Sequence, residues 1–169
     1  MKPEIWGPPI WNFYHGLVAN INEEYFSKHG HEIFSFIKQM SAFLPCPDCS
    51  QHATIFLSKV RNIHISTKKD LIKLLYLFHN SVNVRKNKPV FDFKNMNKYE
   101  NANVLQLYNN FAIYYNTKGN MRLLAESMHR RMILQNFSKW LYSNRAIFIR
   151  TPPHPLCNTP ETSATISSP

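Results

Sequence analysis

Two cysteines with two residues between them, Cys46 and Cys49, are the side chains in this sequence best suited to covalent chemistry. A third, Cys157, stands far away near the end, so the chain has no disulfide framework, and an isolated C-x-x-C points either to redox chemistry or to half of a metal site. Pro45 interrupts the apolar pattern before it, which places the motif at the start of a new helix. There the unpaired backbone N–H groups and the helix dipole stabilise a thiolate, the form that attacks disulfides. Pro45 and Pro47 stiffen the turn, while the carboxylate of Asp48 works modestly against a second negative charge. The metal alternative is zinc, with His52, or His154 and Cys157, completing four ligands; this would make the chain a zinc-binding helical interaction module. A zinc ribbon carries its second pair at a regular spacing, and here that pair would come from a Pro-rich tail. A thioredoxin-like site needs a strand before the motif, whereas the segment before Cys46 has helical period.

A second set of residues stands out by position. His79 and Asn83 lie alongside the apolar stripe Leu71, Leu74, Leu75, Phe78 and Val82 rather than on the opposite face. Near the start, Trp11 and His15 recur with Tyr14 and Val18 at helical spacing. Buried polar side chains need partners. Each of these residues taken alone has a plain reading as core.

The elements that must hold these groups are helices. The first follows Gly7, with Pro8 or Pro9 in its first turn. The second carries Ile33, Phe36, Ile37, Met40 and Leu44. The third runs from the cysteine motif through Ala53, Phe56, Leu57 and Val60. The fourth begins near Thr67, whose hydroxyl caps it, with Asp70 favourable in the first turn, and Lys88-Pro89 ends it. Two more patterns follow. One is Val104, Leu105, Tyr108, Phe111 and Tyr115, stopping near Gly119; the other runs from Met121 to Tyr142 through Leu124, Met128, Met132, Phe137 and Leu141. No repeat and no alternating run argues for a sheet, so the expected fold is an all-α bundle, and the Pro-, Ser- and Thr-rich stretch from Thr151 is expected to be disordered.

Bulk properties agree with one packed domain: 169 residues, 44% apolar, 14% aromatic and only 4 glycines. The formal charge of +10 suits an anionic partner, whether nucleic acid, a membrane surface or a dinucleotide's phosphates, but the basic residues are spread along the chain rather than gathered in an arm. No apolar run is long enough to span a bilayer, and Met1 to Trp6 lack a secretory signal's apolar stretch, so a soluble, cytosolic product is expected.

Three segments become specific together: Trp6-Gly7 with Trp11 and His15; Leu44-Pro45-Cys46-Pro47-Asp48-Cys49 with His52; and His79-Asn80-Ser81-Val82-Asn83 with Arg85 and Lys88-Pro89. In this order, over roughly residues 6–93, they resemble the Erv/ALR family of FAD-linked sulfhydryl oxidases. The resemblance implies a four-helix bundle with FAD at its mouth and a short fifth helix, usually as a homodimer. It implies cofactor contacts from Gly7, Trp11, His15, His79, Asn80, Val82, Asn83, Arg85 and Lys88. It also implies catalysis by Cys46 and Cys49: a reduced protein dithiol or thiol shuttle protein attacks Cys46, Cys49 faces the flavin, and molecular oxygen takes the electrons as hydrogen peroxide. The minimal form, with Leu-Pro-Cys-Pro-x-Cys before His52-Ala53-Thr54, is similar to versions from large cytoplasmic DNA viruses. That likeness implies oxidation of virion proteins in the host cytoplasm, with the enzyme there or in the virion, and neither a nucleic-acid partner nor a membrane span. Two departures are Pro8, where the family often has Arg, and Phe93, where many relatives carry a structural cysteine, so packing alone must hold this chain. The upstream shuttle C-x-x-C of many cellular members is missing too. The expected organisation is an oxidase core over 1–99, added helices over 100–149 that extend the core, with a larger dimer surface or a partner dock as the alternative, and a tail over 150–169 in which Cys157 is an incidental free thiol, with a shuttle to Cys46 as the alternative.

Overall fold

The computed structural model describes residues 3–61, 65–116 and 124–148, and every regular element among them is helical. In order these are α1 (Pro3–Ala19), α2 (Glu23–Ala42), α3 (Pro47–Ser58), α4 (Lys68–Arg85), a 3₁₀ segment (Phe93–Tyr99), α5 (Val104–Tyr115), α6 (Leu124–Ser143) and a closing 3₁₀ turn (Arg145–Phe148). The all-α expectation holds. Among the described residues, no helix is long and apolar enough to cross a membrane. The tail with His154 and Cys157, and the positions Gly119 and Met121, lie outside the described residues.

The helix ends follow local chemistry. α4 opens on a reciprocal cap: Thr67 Oγ1 accepts the Asp70 amide at 3.2 Å, and Asp70 Oδ2 accepts the Thr67 amide at 2.8 Å. It closes before Lys88-Pro89, because Asn87 adopts a left-handed φ of 52°. The amides of Lys88 and Asn87 then return to the carbonyls of Asn83 and Val84 at 2.8 and 3.1 Å. This is the reverse turn that satisfies orphan carbonyls at a helix end. α1 begins earlier than its sequence pattern predicts. Pro3 supplies the first-turn proline, with Glu4 favourable to the dipole, so Pro8 and Pro9 sit inside the helix rather than in its first turn.

Packing places α1 at the centre, against α4 on one side and α5 on another, while α2 meets α3, α4 and α6. Residues of α5 and α6 join the same buried cluster as those of the first four helices. Phe13 of α1, fully buried, stacks on Phe111 at 4.5 Å and meets Phe137 edge-on at 5.5 Å. Gly16 makes room on α1 for the Leu107 side chain of α5, which a Cβ there would strike. One expected stripe is corrected. Met128 and Met132 on α6 are 61% and 58% exposed, and the buried face is instead Ile133, Leu134, Phe137, Trp140 and Leu141 with Arg130. The expected series jumped five residues from Met132 to Phe137, more than a turn, and so mixed two faces.

Candidate functional site

Cys46 ends up as the N-cap of α3, with Pro47 in the first turn behind it. Its extended backbone, φ −145° and ψ 109°, lets Sγ accept the amide of Cys49 at 3.2 Å, the bond a serine would make at a more usual cap. The two cysteines are joined as a disulfide, with their Cα atoms 5.2 Å apart. Among the described residues no group of three or more His, Cys, Asp or Glu is placed to hold a metal. The carboxylate of Asp48, between the cysteines, is held by Arg85 of α4. Arg85 Nη2 lies 2.6 Å from Oδ2, and Nη1 donates to the Asp48 carbonyl at 3.4 Å. A cation thus offsets the negative charge that the sequence places beside the sulfurs. Arg85 also helps hold the His52 imidazole below its ordinary pKa, after burial as the main cause.

The disulfide borders a cavity of about 320 Å³ between α1, α3, α4 and the 3₁₀ segment. Of the residues singled out by the sequence, Gly7, Trp11, Cys49, His79, Val82, Asn83, Arg85 and Lys88 line it, and Cys46 does not. Its walls are largely rings: Trp6, Trp11, Tyr14, Phe78, His79 and Tyr99. Arg85, Lys86, Lys88 and Lys98 make its rim strongly cationic, against a single acid, Glu4.

Trp11 and His79 stack almost parallel, centroids 4.1 Å apart at 8°. His15, 1% exposed, lies behind them rather than in the cavity, stacked on Tyr99 at 4.7 Å and bonded through Nε2 to His79 Nδ1 at 3.1 Å. Burial, then the neighbouring His79 and Lys98, push the His15 pKa down to about 3; burial, Lys98 and Lys88 push His79 down to about 4. Both imidazoles are therefore neutral at physiological pH. His15 Nδ1 is buried without a hydrogen-bond partner among the described residues. The less costly tautomer leaves a bare lone pair there, with His15 Nε2–H donating to His79 Nδ1 and the His79 proton carried on Nε2.

Asn80 is also drawn away from the cavity. Its Nδ2 donates to the Phe91 carbonyl at 3.0 Å and its Oδ1 accepts the Phe91 amide at 2.8 Å, pinning the segment that follows α4. That segment brings residues the sequence patterns did not flag. Lys98 sits over the rings of Phe91 and Tyr99, 4.8 Å from each, and Tyr99 walls the cavity, its phenol pushed up to about 12 by burial. Trp6 adds a buried indole N–H with no hydrogen-bond partner among the described residues. Flat aromatic walls, a cationic rim and the buried Trp6 N–H suit a planar heteroaromatic ligand carrying phosphates.

A disulfide that caps a helix beside such a cavity, within an all-α bundle, defines a helical thiol-redox protein. The Erv1 / Alr family pattern matches residues 8–103, and the chain belongs to that family. It is 30% identical over 90 residues to a protein of Invertebrate iridescent virus 3, covering 53% of this chain and 61% of that relative. It is 32% identical over 101 residues to one of Invertebrate iridescent virus 6, covering 53% and 86%, and 27% identical over 104 residues to one of African swine fever virus, covering 60% and 87%. All three are named as FAD-linked sulfhydryl oxidases. No solved structure matches the chain.

Proposed function

We propose that this chain is an FAD-dependent sulfhydryl oxidase, which forms disulfides in protein dithiols and passes the electrons to oxygen as hydrogen peroxide. The observation that carries this function is that Cys49, one half of the disulfide, stands in the wall of the ring-lined, cation-rimmed cavity while Cys46 stands outside it. The family membership and the names of the viral relatives support it.

The residues divide the work by position. Trp11 and His79 wall the cavity with their stacked rings, with Gly7, Val82 and Asn83 completing the wall, and Arg85, Lys88 and Lys98 take the phosphates. His15 and Asn80 act from behind, the first by fixing the His79 ring and the second by fixing the Phe91 segment. A substrate thiolate attacks Cys46, the S–S bond breaks, and Cys49 leaves as a thiolate on the cavity side. The second substrate thiol then displaces Cys46, so the substrate gains a disulfide and the enzyme pair holds two electrons and two protons. At the start of α3 the Cys49 amide and the helix dipole favour negative charge on Cys46. FAD, when bound, supplies the two-electron acceptor that restores the Cys46–Cys49 bond and hands the electrons on to oxygen.

We infer a setting in the host cytoplasm or the virion, with virion proteins, or a thiol shuttle protein, as the dithiol source and a homodimer as the working unit; the viral origin of the relatives supports a virus-encoded protein. The purified chain is expected to be yellow and to consume oxygen with dithiothreitol. Cys49→Ser is expected to keep the flavin absorbance and lose turnover by at least about a thousandfold, because the thiolate is removed outright. A colourless protein that takes up no added FAD sinks the proposal.

A further inference from the structure

We propose that Tyr115 of α5 and His129 of α6 are positioning residues for the redox turn, holding it in the geometry that favours the Cys46–Cys49 disulfide over the dithiol. Both lie beyond the segment that matches the family, which ends at residue 103.

The argument starts from the end of α2, which stops at Ala42, just before the cysteines. The last carbonyls of a helix lack intrahelical donors. Here the Met40 carbonyl accepts the Phe43 amide at 3.3 Å and, from across the core, the Tyr115 hydroxyl at 2.9 Å. Burial pushes the Tyr115 phenol well above its ordinary range, so it remains a donor. Three residues on, Phe43 lies flat against His129, centroids 4.9 Å apart at 2°, and His129 Nδ1 is itself tied to the Ala125 carbonyl at 2.8 Å. Leu44 is buried, and Ser50 donates to its carbonyl and to that of Cys46, each at 3.2 Å. The chain entering the redox turn is thus gripped from α5, α6 and α3 in succession.

Reducing the pair breaks one S–S bond and adds two electrons and two protons, after which nothing covalent holds the two Cα atoms at 5.2 Å. A backbone already fixed on the α2 side loses less freedom when the bond reforms, and closure is favoured accordingly. The consequence for turnover rests on the oxidase function proposed above; the dithiol–disulfide equilibrium does not.

That equilibrium is therefore the test. The full chain is equilibrated without oxygen in glutathione buffers of graded ratio, the free thiols are alkylated, and the peptide carrying both cysteines is weighed. Tyr115→Phe and His129→Ala are each expected to shift the pair toward the dithiol by about fivefold, or about 20 mV for two electrons. Tyr108→Phe is the control. It removes an equivalent bond, Tyr108 hydroxyl to the Leu134 carbonyl at 3.0 Å, in the same pair of helices but away from the turn. It is expected to lower the melting temperature and leave the equilibrium unmoved. The proposal is overturned if both positioning variants stay within about twofold of the parent chain, or if Tyr108→Phe shifts the pair as far as they do. Because the measurement runs equally on flavin-free protein, a failure of flavin binding strikes the oxidase function and leaves this result separate.

Discussion

α1 turns aromatic rings to two sides, and the sides differ in what fills the space against them. Toward α5 and α6, Phe13 is wholly buried among Phe111, Phe137 and Tyr108, and the one polar atom in that group, the Tyr108 hydroxyl, is satisfied by Leu134. Toward α4, Trp11 and His15 meet His79 at comparable ring distances, yet a cavity adjoins Trp11 and His79, and His15 Nδ1 behind them has no hydrogen-bond partner among the described residues. Ring content alone does not separate a core from a binding site. A cavity bordered by the disulfide does.

Exchanging the two sides in mutants breaks or sharpens this contrast. Phe111→Ala is expected to have the largest effect on folding, about 3–5 kcal/mol in urea unfolding, because it opens a cavity in a filled core. Trp11→Ala should cost the flavin-free protein clearly less, about 1–2 kcal/mol, since Trp11 is only partly buried, while weakening FAD about tenfold in fluorescence titration. Equal losses of stability from the two would erase the distinction.

A subtler difference concerns pH. His15 and His79 have folded-state pKa values of about 3 and about 4, below the ordinary 6.5, so the unfolded chain takes up protons first as pH falls. Their contribution is complete above pH 6.5 and is lost progressively toward pH 4 and then 3, with His52 adding in the same direction. Melting temperature should therefore fall across this window, and His15→Phe should flatten the slope. A profile identical to that of the parent would show that His15 is not the group responsible. The smallest effect belongs to Asp48→Asn. It breaks a largely exposed ion pair and should change unfolding free energy by less than about 1 kcal/mol.

Much of this architecture is written locally. Thr67 and Asp70 announce a capping box, Pro45 and Pro47 frame a helix start at Cys46, and the misplaced polarity of His79 and Asn83 marks the cavity wall. Other features are less legible because they depend on partners distant in sequence. Lys98 and Tyr99 lie in a 3₁₀ segment too short to show a period, and they reach the cavity because distant side chains hold the segment: Asn80 fixes Phe91, and Asn20 donates to the Tyr99 carbonyl at 2.8 Å. Met128 and Met132 look like core by hydropathy, but the facing helix determines which stripe of α6 is covered. Asn80 shows the limit from the other direction. It stands in the right motif, yet whether its amide turns to a ligand or to Phe91 is a matter of rotamer and neighbours.

The Asn80 amide meets both backbone groups of Phe91, one as donor and one as acceptor, much as a neighbouring strand would. Such a pairing is directional, and it fails if a single atom changes its role. Deamidation of Asn80 would replace the donating nitrogen with an anionic oxygen facing the Phe91 carbonyl, so two acceptors would confront each other where one bond had been. The segment carrying Lys98 and Tyr99 would lose one of the bonds that hold Phe91, while Asn20 would still hold the Tyr99 carbonyl. Slow chemical ageing at this one amide would thereby loosen one anchor of the cavity wall without touching either sulfur.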